Sequence, residues 1–343
     1  MQSKNGKAMR SSIGILFQFI LIAISSIILI GLVTWQSSSF ISHEQHPKIE
    51  QITPEKYKEF GGFSHAVTVG LLIDQFINFN MVTNDFTFDG TIWFKFDPGA
   101  ISIDTLSKFS FLKGTIEQKS DPDIRLIDDK LLVKYIIRVV FKSDLNYQDF
   151  PLDSHSIYLM LVNKFVSPSE ILFESSRREF TINADVSSAG WDLFDTAVRN
   201  GYISSSLDPY DTRQDVQHPA TLFALDYSRN SVRYALSIIL PLALIFYLLV
   251  FSVSLDIISG LGIASGGVTA ILAYRFVIET LSPQTGFFMI SDFLFFLFLA
   301  ATIVIFIINA FESVAPLSAR WKKISIILLH AIIIVAAIYI IVW

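Results

Sequence analysis

RNSVRYALSIILPLALI, residues 229–245, marks the point at which the character of the chain changes. Before it, apolar residues form short segments separated by Asp, Asn, Gly, Pro and Ser; after it, the sequence is almost continuously apolar. A run of about 20 apolar residues is long enough to cross the hydrocarbon core of a bilayer as a helix. The stretch therefore predicts a boundary between a water-exposed domain and a membrane domain.

Five apolar runs of this length occur in the 343 residues, of which 52% are hydrophobic. One run precedes the polar domain and four follow it, with bounds 13–33, 234–255, 257–281, 287–311 and 324–343. The chain is thus predicted to contain an N-terminal segment, a linker, a polar domain and a four-helix membrane domain, at 1–36, 37–62, 63–229 and 230–343.

Basic residues predict the orientation in the membrane. They precede the first run and separate the fourth from the fifth, at Lys4, Lys7, Arg10, Arg320, Lys322 and Lys323. Loops rich in Lys and Arg stay in the cytoplasm, so connection 252–256 is internal, whereas connection 282–286 and the C-terminus are external. We expect a multi-pass protein of the cell (inner) membrane with its polar domain on the extracellular or periplasmic side.

The first apolar run has two interpretations. A cleaved signal peptide has an apolar core of about 7–15 residues and a small-residue cleavage site. This run is longer, and LVTWQSSSF (32–40) lacks a clear A-x-A pattern. An uncleaved anchor and a cleaved signal peptide both stay open, and either delivers the following domain outside the cytoplasm.

Strand signals dominate the polar domain. Segments rich in Val, Ile, Phe, Tyr and Thr are HAVTVGLLI (65–73), DFTFDGTIWFKF (85–96), KLLVKYIIRVVF (130–141), SIYLMLV (156–162), EILFE (170–174) and TLFALDY (221–227). Short segments of this kind, separated by turn residues, are typical of an antiparallel β-sandwich. Trp93 and Trp191 are expected in its core.

The polar domain carries few residues that suggest catalysis. The absence of cysteine excludes disulfides and thiolate metal sites, and the six histidines lack metal-ligand spacing. The acidic residues at 121, 123, 128 and 129 form either a solvated loop or a divalent-cation site. A net charge of −5 without a basic cluster argues against nucleic acid as a partner. We expect neither enzyme activity nor a cofactor.

YQDFPLDSHSIYLMLV (147–162) resembles the signature loop of the pentameric ligand-gated ion channels, the Cys-loop receptor superfamily. The lack of cysteine is similar to the prokaryotic, disulfide-free members. Further similarities follow in the family's order, at VTVGLLIDQF (67–76), DFTFDGTIWF (85–94), GWDLFDTAV (190–198), RNSVRYALSIILPLALI (229–245) and AILAYRFVIETLSPQTGFF (270–288). The resemblance covers residues 63–343 and implies a homopentameric channel in a lipid bilayer, opened by a small-molecule agonist or by protons to permeant ions.

Asp153 on the proline-containing loop and Arg229 just before the membrane have opposite charges and are expected to pair. The resemblance implies that such a pair couples the outer domain to the pore, together with Phe150, Pro151 and Pro283. The alternative is a surface ion pair that contributes at most about 1 kcal/mol.

Two further expectations concern the same region. Phe150 and Pro151 are expected to touch the external connection 282–286. Pro241 lies inside the first channel helix, where its missing N–H favours a kink. The first hairpin turn, 80–84, lacks the acidic residue that relatives often carry there.

GLGIASGGVTA (260–270) carries four glycines, although each glycine inside a helix costs roughly 1 kcal/mol relative to alanine. Spacings of four and three residues keep one stripe on a single helical face, namely Gly262, Gly266, Thr269, Ala273, Phe276 and Thr280. The resemblance places this stripe on the pore axis. Phe276 is then the bulky hydrophobic ring, and such a ring gates by dewetting.

Two features leave an alternative open. Relatives carry a bulky aliphatic ring at mid-helix, where this chain has Thr269. Small-residue stripes also let membrane helices pack closely without any permeation, and Gly260, Ala264 and Gly267 are expected to serve packing.

Charged residues near the ends of this helix favour cations. Asp256 and Glu279 become acidic rings in a pentamer, and acidic rings select cations. Arg275 is expected to pair with Glu279, four residues on, and to turn toward a neighbouring helix. Asp292 and Asn309 in the next helix are expected to face protein rather than lipid.

The resemblance places an agonist site under hairpin 206–219, which contains Tyr210, beside Phe165 on a neighbouring loop. Aromatic rings there would hold an organic cation, and protons acting on carboxylates or on His218 are the other possibility. A non-conducting membrane sensor or scaffold is the competing function. Thr269 and the extra N-terminal segment favour it.

Overall fold

The computed structural model describes residues 2–62, 64–183, 188, 190–206, 215–229 and 231–342. Within it the chain forms two compact units. The helical unit comprises Met1–Ile41, Tyr147–Asp153 and Arg229–Trp343, and the β unit comprises Ser42–Asn146 and Ser154–Ser228. The proline-containing loop therefore groups with the helices rather than with the strands that flank it in sequence.

The β unit contains strands and two short helices. The helices are α2 (Pro54–Glu59) and α3 (Ile103–Ser107). The strands are β1 (His65–Asn80), β2 (Asp85–Phe96), β3 (Ser110–Leu112), β4 (Gly114–Lys119), β5 (Asp123–Ile127), β6 (Lys130–Phe141), β7 (Ser154–Val162), β8 (Ile171–Glu174), β9 (Phe180–Ile182), β10 (Trp191–Ser206) and β11 (Asp215–Arg229).

The strands form two sheets. One has the order β4-β6-β2-β1-β8, with β5 paired to β6 and β9 paired to β1, and the other has the order β10-β11-β7-β3. Strands β8 and β9 run parallel to β1, so the expected purely antiparallel pairing is wrong at this edge. The chain reaches β8 from β7 in the other sheet, and it therefore does not arrive through a hairpin.

Alternation along β2 builds the core that the two sheets share. Phe86, Phe88 and Phe94 are fully buried and pack with Leu159 and Phe223 from the second sheet. Successive side chains of a strand point to opposite faces. This alternation produces one apolar layer between the sheets.

The two tryptophans of the β unit that were expected in the core, Trp93 and Trp191, differ in burial. Trp191 belongs to the core, as expected. Trp93 is half-buried on the outer face of β2, because Phe94 beside it takes the inward position. The Trp93 indole covers Gly70, where an added Cβ would overlap the ring. The expectation of a core Trp93 is therefore wrong.

The helical unit contains helices α1 (Gln2–Ser37), α4 (Ser231–Ser252), α5 (Ile257–Leu281), α6 (Ile290–Val314) and α7 (Ala319–Val342). Among the described residues, these five are long and apolar enough to cross a membrane. Helix α5 has the predicted bounds. Helix α7 begins before the predicted 324, because the charges at 320–323 continue the helix beyond its apolar part.

Helix packing places α4, α5 and α6 in mutual contact, with α7 on α6 and α1 on both α4 and α7. Helix α4 continues from Ser231 to Ser252 through Pro241. Asp292 and Asn309 on α6 are buried, as expected for polar groups that avoid lipid.

Candidate functional site

The junction loop, Tyr147–Asp153, carries one partner of a buried ion pair. Arg229 Nε lies 2.6 Å from Asp153 Oδ1, and Arg229 Nη2 lies 2.8 Å from Asp153 Oδ2. The two residues are only 5% and 2% exposed. The expected pair is therefore present, and its burial contradicts the alternative of a weak surface pair. A two-pronged contact of this kind fixes geometry as well as charge.

Aromatic rings enclose the same guanidinium. The Arg229 Cζ lies 5.1 Å from the centre of the Phe150 ring and 5.0 Å from that of Tyr234. A cation held over two aromatic faces is stabilised electrostatically. Phe150, which is fully buried, precedes Pro151 through a cis peptide bond. The base of α4 is thus bound by a carboxylate and two rings.

The junction loop also holds the start of α6. The Ile290 N–H donates to the Gln148 carbonyl at 2.9 Å, and the Ser291 N–H donates to the Phe150 carbonyl at 3.0 Å. The first N–H groups of a helix have no acceptor within the helix, so the loop supplies these acceptors. Its backbone bonds run to the first turn of α6, which follows connection 282–286. The expected contact of Phe150 and Pro151 with that connection stays a prediction.

Apolar packing fixes the loop between two helices. Leu152 is buried in a cluster with Ala235 and Ile239 of α4 and with Ile290 and Leu294 of α6. The loop is therefore packed against the first turns of both helices.

A charged cluster continues this arrangement to α5. Arg275 Nε lies 3.0 Å from Glu279 Oε1, and the Arg275 guanidinium also pairs with Asp292 at the start of α6. Asp292 additionally accepts a hydrogen bond from the Met289 N–H at 2.9 Å. The expected Arg275–Glu279 pair is present, and Arg275 turns toward α6. Pro283, in the connection that follows α5, is buried beside this cluster.

The predicted stripe of α5 lies exposed in the single chain. All six members are exposed: Gly262, Gly266, Thr269, Ala273, Phe276 and Thr280. The Phe276 ring is 71% exposed. No atom lies within 4 Å of a Cβ added at Gly262 or Gly266. The stripe therefore faces neither α4 nor α6.

The other face of α5 packs closely. A Cβ at Gly260 would lie 2.7 Å from Asn309 Oδ1 and 2.9 Å from the Ser252 carbonyl oxygen. A Cβ at Gly267 would overlap the side chain of Leu249. Packing thus explains Gly260 and Gly267, as expected, and leaves Gly262 and Gly266 unexplained within one chain.

Both carboxylates predicted to select ions are exposed. Asp256 caps α5 by accepting a hydrogen bond from the Ser259 N–H at 3.1 Å. This bond holds the pKa of Asp256 below its usual range. Glu279 is more than half exposed beside Arg275.

The predicted agonist region contains a cavity of about 700 Å³. Phe165, which is 68% exposed, lines it together with His218, Glu59, Phe60 and Asp215. Tyr210 lies outside the described residues. The walls carry carboxylate and aromatic groups that suit a cationic ligand, and the ammonium group of Lys164, which opposes one. The contribution of Glu59 and Phe60, from the linker, could not be inferred from the sequence.

The ammonium group of Lys108 already lies over one face of the Phe165 ring. Its Nζ lies 5.5 Å from the centre of the Phe165 ring. A cationic ligand would have to displace this ammonium group or use the other face of the ring.

A second buried contact, between Glu44 and His155, was not predicted from the sequence. Glu44 Oε1 lies 2.6 Å from His155 Nδ1, and both side chains are fully buried. Glu44 also accepts hydrogen bonds from the Ser42 hydroxyl and from the N–H groups of Asn146 and Ser156. Burial raises the pKa of Glu44, but its hydrogen bonds and its electrostatic interaction with His155 outweigh burial and lower this pKa below its ordinary value. Glu44 and His155 are 111 positions apart in the sequence, so no local sequence pattern predicts their contact.

A comparison of the sequence with models of known protein families gives no match, and a comparison with curated proteins gives none either.

Proposed function

We propose that the chain is one subunit of a homopentameric ion channel, similar to the prokaryotic pentameric ligand-gated channels, whose pore is lined by α5. The observation that carries this proposal is the exposed stripe of small and polar residues on an otherwise apolar membrane helix. Helix α5 is the least hydrophobic and least buried of the five candidate spans.

Physical chemistry favours a water-filled path over lipid for this stripe. Apart from Phe276, the stripe consists of glycine, alanine and threonine, so it offers lipid little apolar side-chain surface. Association of several copies around the stripe buries the flanks of α5 and leaves the stripe facing a lumen. The number of copies, five, comes from the resemblance.

The lumen would be widest at Gly262 and Gly266 and narrowest at Phe276. A ring of five phenylalanines excludes water when closed, and dewetting of such a ring blocks ions. Rings of Asp256 and Glu279 at the two ends favour cations over anions, since Arg275 is neutralised by Glu279 and Asp292.

Contacts within the helical unit support a route for gating. The junction loop holds α4 through Asp153 and Arg229 and holds the start of α6 through backbone bonds. Asp292 at the start of α6 then pairs with Arg275 on α5. This chain of contacts is contiguous, as energetic coupling between distant sites commonly requires.

The remaining elements complete the proposal. An agonist, either a small molecule or protons, acts on the β unit, and the cavity beside Phe165 is the proposed binding place. The protein resides in the cell (inner) membrane, with the β unit and the C-terminus on the extracellular or periplasmic side.

Particle images and bilayer currents of the purified full chain test the proposal. We expect five-fold symmetric particles, and currents that appear as the external pH is stepped or as small cationic ligands are added. Phe276→Ala should raise the leak of the closed channel, because it removes the hydrophobic ring. Val277→Ala is the control, since this exposed neighbour lies about 100° round the helix.

Two outcomes would contradict the proposal. Monomeric or dimeric particles remove the pore altogether. Five-fold particles without current under any tested condition would instead support a non-conducting sensor.

A further inference from the structure

We infer that α1 is a permanent helix of the membrane bundle and that residues 42–50 fasten it to the β unit. Residues 16–50, the N-terminal tie, would then remain in the working protein instead of being removed as a signal peptide. This inference does not depend on ion conduction.

Buried polar contacts join α1 to α4. Gln18 Nε2 donates to Ser254 Oγ at 2.7 Å, and Ser25 Oγ lies 3.1 Å from the Tyr247 hydroxyl. Gln18 and Ser25 are almost completely buried. Because residue 18 meets residue 254 and residue 25 meets residue 247, α1 runs antiparallel to α4.

A third polar contact joins α1 to α7. His330 Nδ1 lies 3.1 Å from Ser25 Oγ, and the His330 ring stacks against Tyr247 at 5.9 Å between ring centres. Lys323, in the second turn of α7, lies over the ring of Phe17, where the apolar part of α1 begins, at 5.9 Å. Helices α1 and α7 are therefore parallel, and their apolar parts begin at the same end of the bundle, as the positive-inside rule requires of two spans that each follow basic residues.

Removal of α1 would leave polar groups without partners in hydrocarbon. His330 is only 3% exposed with α1 in place, and it would lose the Ser25 hydroxyl that it contacts. Polar groups inside a bilayer are costly unless protein satisfies them. Hydrogen-bond partners for His330 and Tyr247 are expected of a helix that stays in the bundle and are not expected of a signal peptide that is removed.

The segment after α1 is bonded to the β unit at several points. Beyond the Glu44–His155 pair, His46 Nδ1 lies 2.7 Å from the Tyr158 hydroxyl. Glu50 and Tyr202 exchange backbone hydrogen bonds of 2.9 and 3.0 Å, and the Tyr202 hydroxyl donates to Glu50 Oε2 at 2.6 Å. The segment is thus fixed in register, unlike a loose linker.

Both ends of the tie are therefore held, one by membrane helices and the other by strands. The chain passes from the helical unit to the β unit after Ile41. The tie provides a covalent route between the units that is separate from the junction loop and from Arg229.

Intact mass of the full chain purified from membranes is the first test. We expect a species that retains residues 16–37. A mature protein that begins at residue 38 or later overturns the inference.

Cleavage of the purified protein tests the membrane end. A protease site is inserted between Ser39 and Phe40, and the cut protein is washed in mild detergent; the uncut insertion variant is the reference. We expect the α1 fragment to stay bound. Adding Gln18→Leu and Ser25→Ala should speed its loss at least roughly fivefold, the effect of one net hydrogen bond.

Thr34→Ala is the matched control, because this exposed hydroxyl bonds carbonyls of its own helix. Immediate loss of the fragment from the cut protein contradicts the inference. So does an equal rate of loss with and without the two substitutions.

Hydrogen exchange of the full chain tests the other end. The Glu50 and Tyr202 amides should exchange slowly, and Glu44→Gln should accelerate Glu50 at least roughly fivefold by weakening the neighbouring contacts. Asp128→Asn, at an exposed site elsewhere in the β unit, should change neither amide. Exchange of Glu50 at the rate of an unstructured peptide in the parent protein would show a loose linker.

Discussion

Asp153 and Arg229 form the contact on which the proposed coupling depends. Their burial means that each charge relies on the other, since removal of one partner leaves an uncompensated charge out of water. The sequence predicted the pair from charge and position. It did not predict the burial, which depends on Phe150, Tyr234 and the packing of the loop.

Asp153→Asn should destabilise the protein by about 3–5 kcal/mol, the typical cost of breaking a buried pair. Thermal unfolding in detergent measures the change. Asp195→Asn removes an exposed pair with Arg177 and should cost less than about 1 kcal/mol. Equal losses from the two variants would contradict the burial argument.

A double replacement separates stability from coupling. Asp153→Leu with Arg229→Met exchanges the ion pair for apolar side chains, which is often neutral for stability. We expect a nearly normal melting temperature together with a shifted activation threshold. Normal activation in this stable variant would remove the ion pair from the coupling scheme.

Glu44 gives a pH-dependent prediction. Its pKa in the folded state lies below the ordinary 4.5, so its stabilisation is present above that value and is lost as pH falls through the lowered pKa. At neutral pH, Glu44→Gln should lower stability by about 1.5–3 kcal/mol, because it weakens hydrogen bonds to a buried charged group.

The stability difference between Glu44→Gln and the parent should shrink as the pH is lowered from about 6 to about 3. Melting temperatures of both proteins across this range measure it. Glu59→Gln, an exposed site, is the control. A difference that is constant with pH would mean that the Glu44 charge contributes nothing.

At the scale of elements, helix α5 shows how far its sequence predicts its structure. The apolar run predicted the bounds Ile257–Leu281, and residue spacing predicted that the stripe lies on one face. The sequence also assigned Gly260 and Gly267 to packing, yet it could not identify Asn309, Ser252 and Leu249 as the atoms they meet. These contacts join helices that are distant in sequence.

Glycine substitutions in α5 should therefore have opposite effects. Gly260→Ala should destabilise the protein, because its Cβ would meet Asn309 and the Ser252 carbonyl. Gly262→Ala meets open space and should leave stability unchanged or raise it by up to about 1 kcal/mol. Melting temperatures of the two variants measure these effects. Destabilisation by Gly262→Ala would contradict the conclusion that this face of α5 contacts no other part of the chain.

The strands likewise divide into those that the sequence predicted and those that it did not. Alternation in DFTFDGTIWFKF predicted β2 as Asp85–Phe96 without error. The parallel strands β8 and β9 were not predicted, because they have four and three residues and their pairing depends on β1 far away. Hydrophobic periodicity identifies long helices and strands. It does not show which edge of which sheet a short strand joins.

At the scale of the whole molecule, composition predicted a strand-rich part followed by helices that are able to span a membrane, and the structure has both. For the loop Tyr147–Asp153, which groups with the helices, the sequence predicted the pairing of Asp153 with Arg229 but not the bonds to α6. A seven-residue loop carries no compositional sign of its partners. The loop is held among the helices by the packing of Leu152 and by the backbone carbonyl groups that accept hydrogen bonds from the start of α6.

Cysteine scanning tests the central claim, that α5 lines an ion pore, most directly. The natural chain has no cysteine, so single cysteines placed along α5 report on their own positions alone. A water-soluble, positively charged thiol reagent is added while the current is recorded. We expect block at the stripe positions 262, 266, 269, 273, 276 and 280, and no effect at the buried positions 264, 271 and 278. Absence of block at the stripe, or equal block on both faces, would contradict the account.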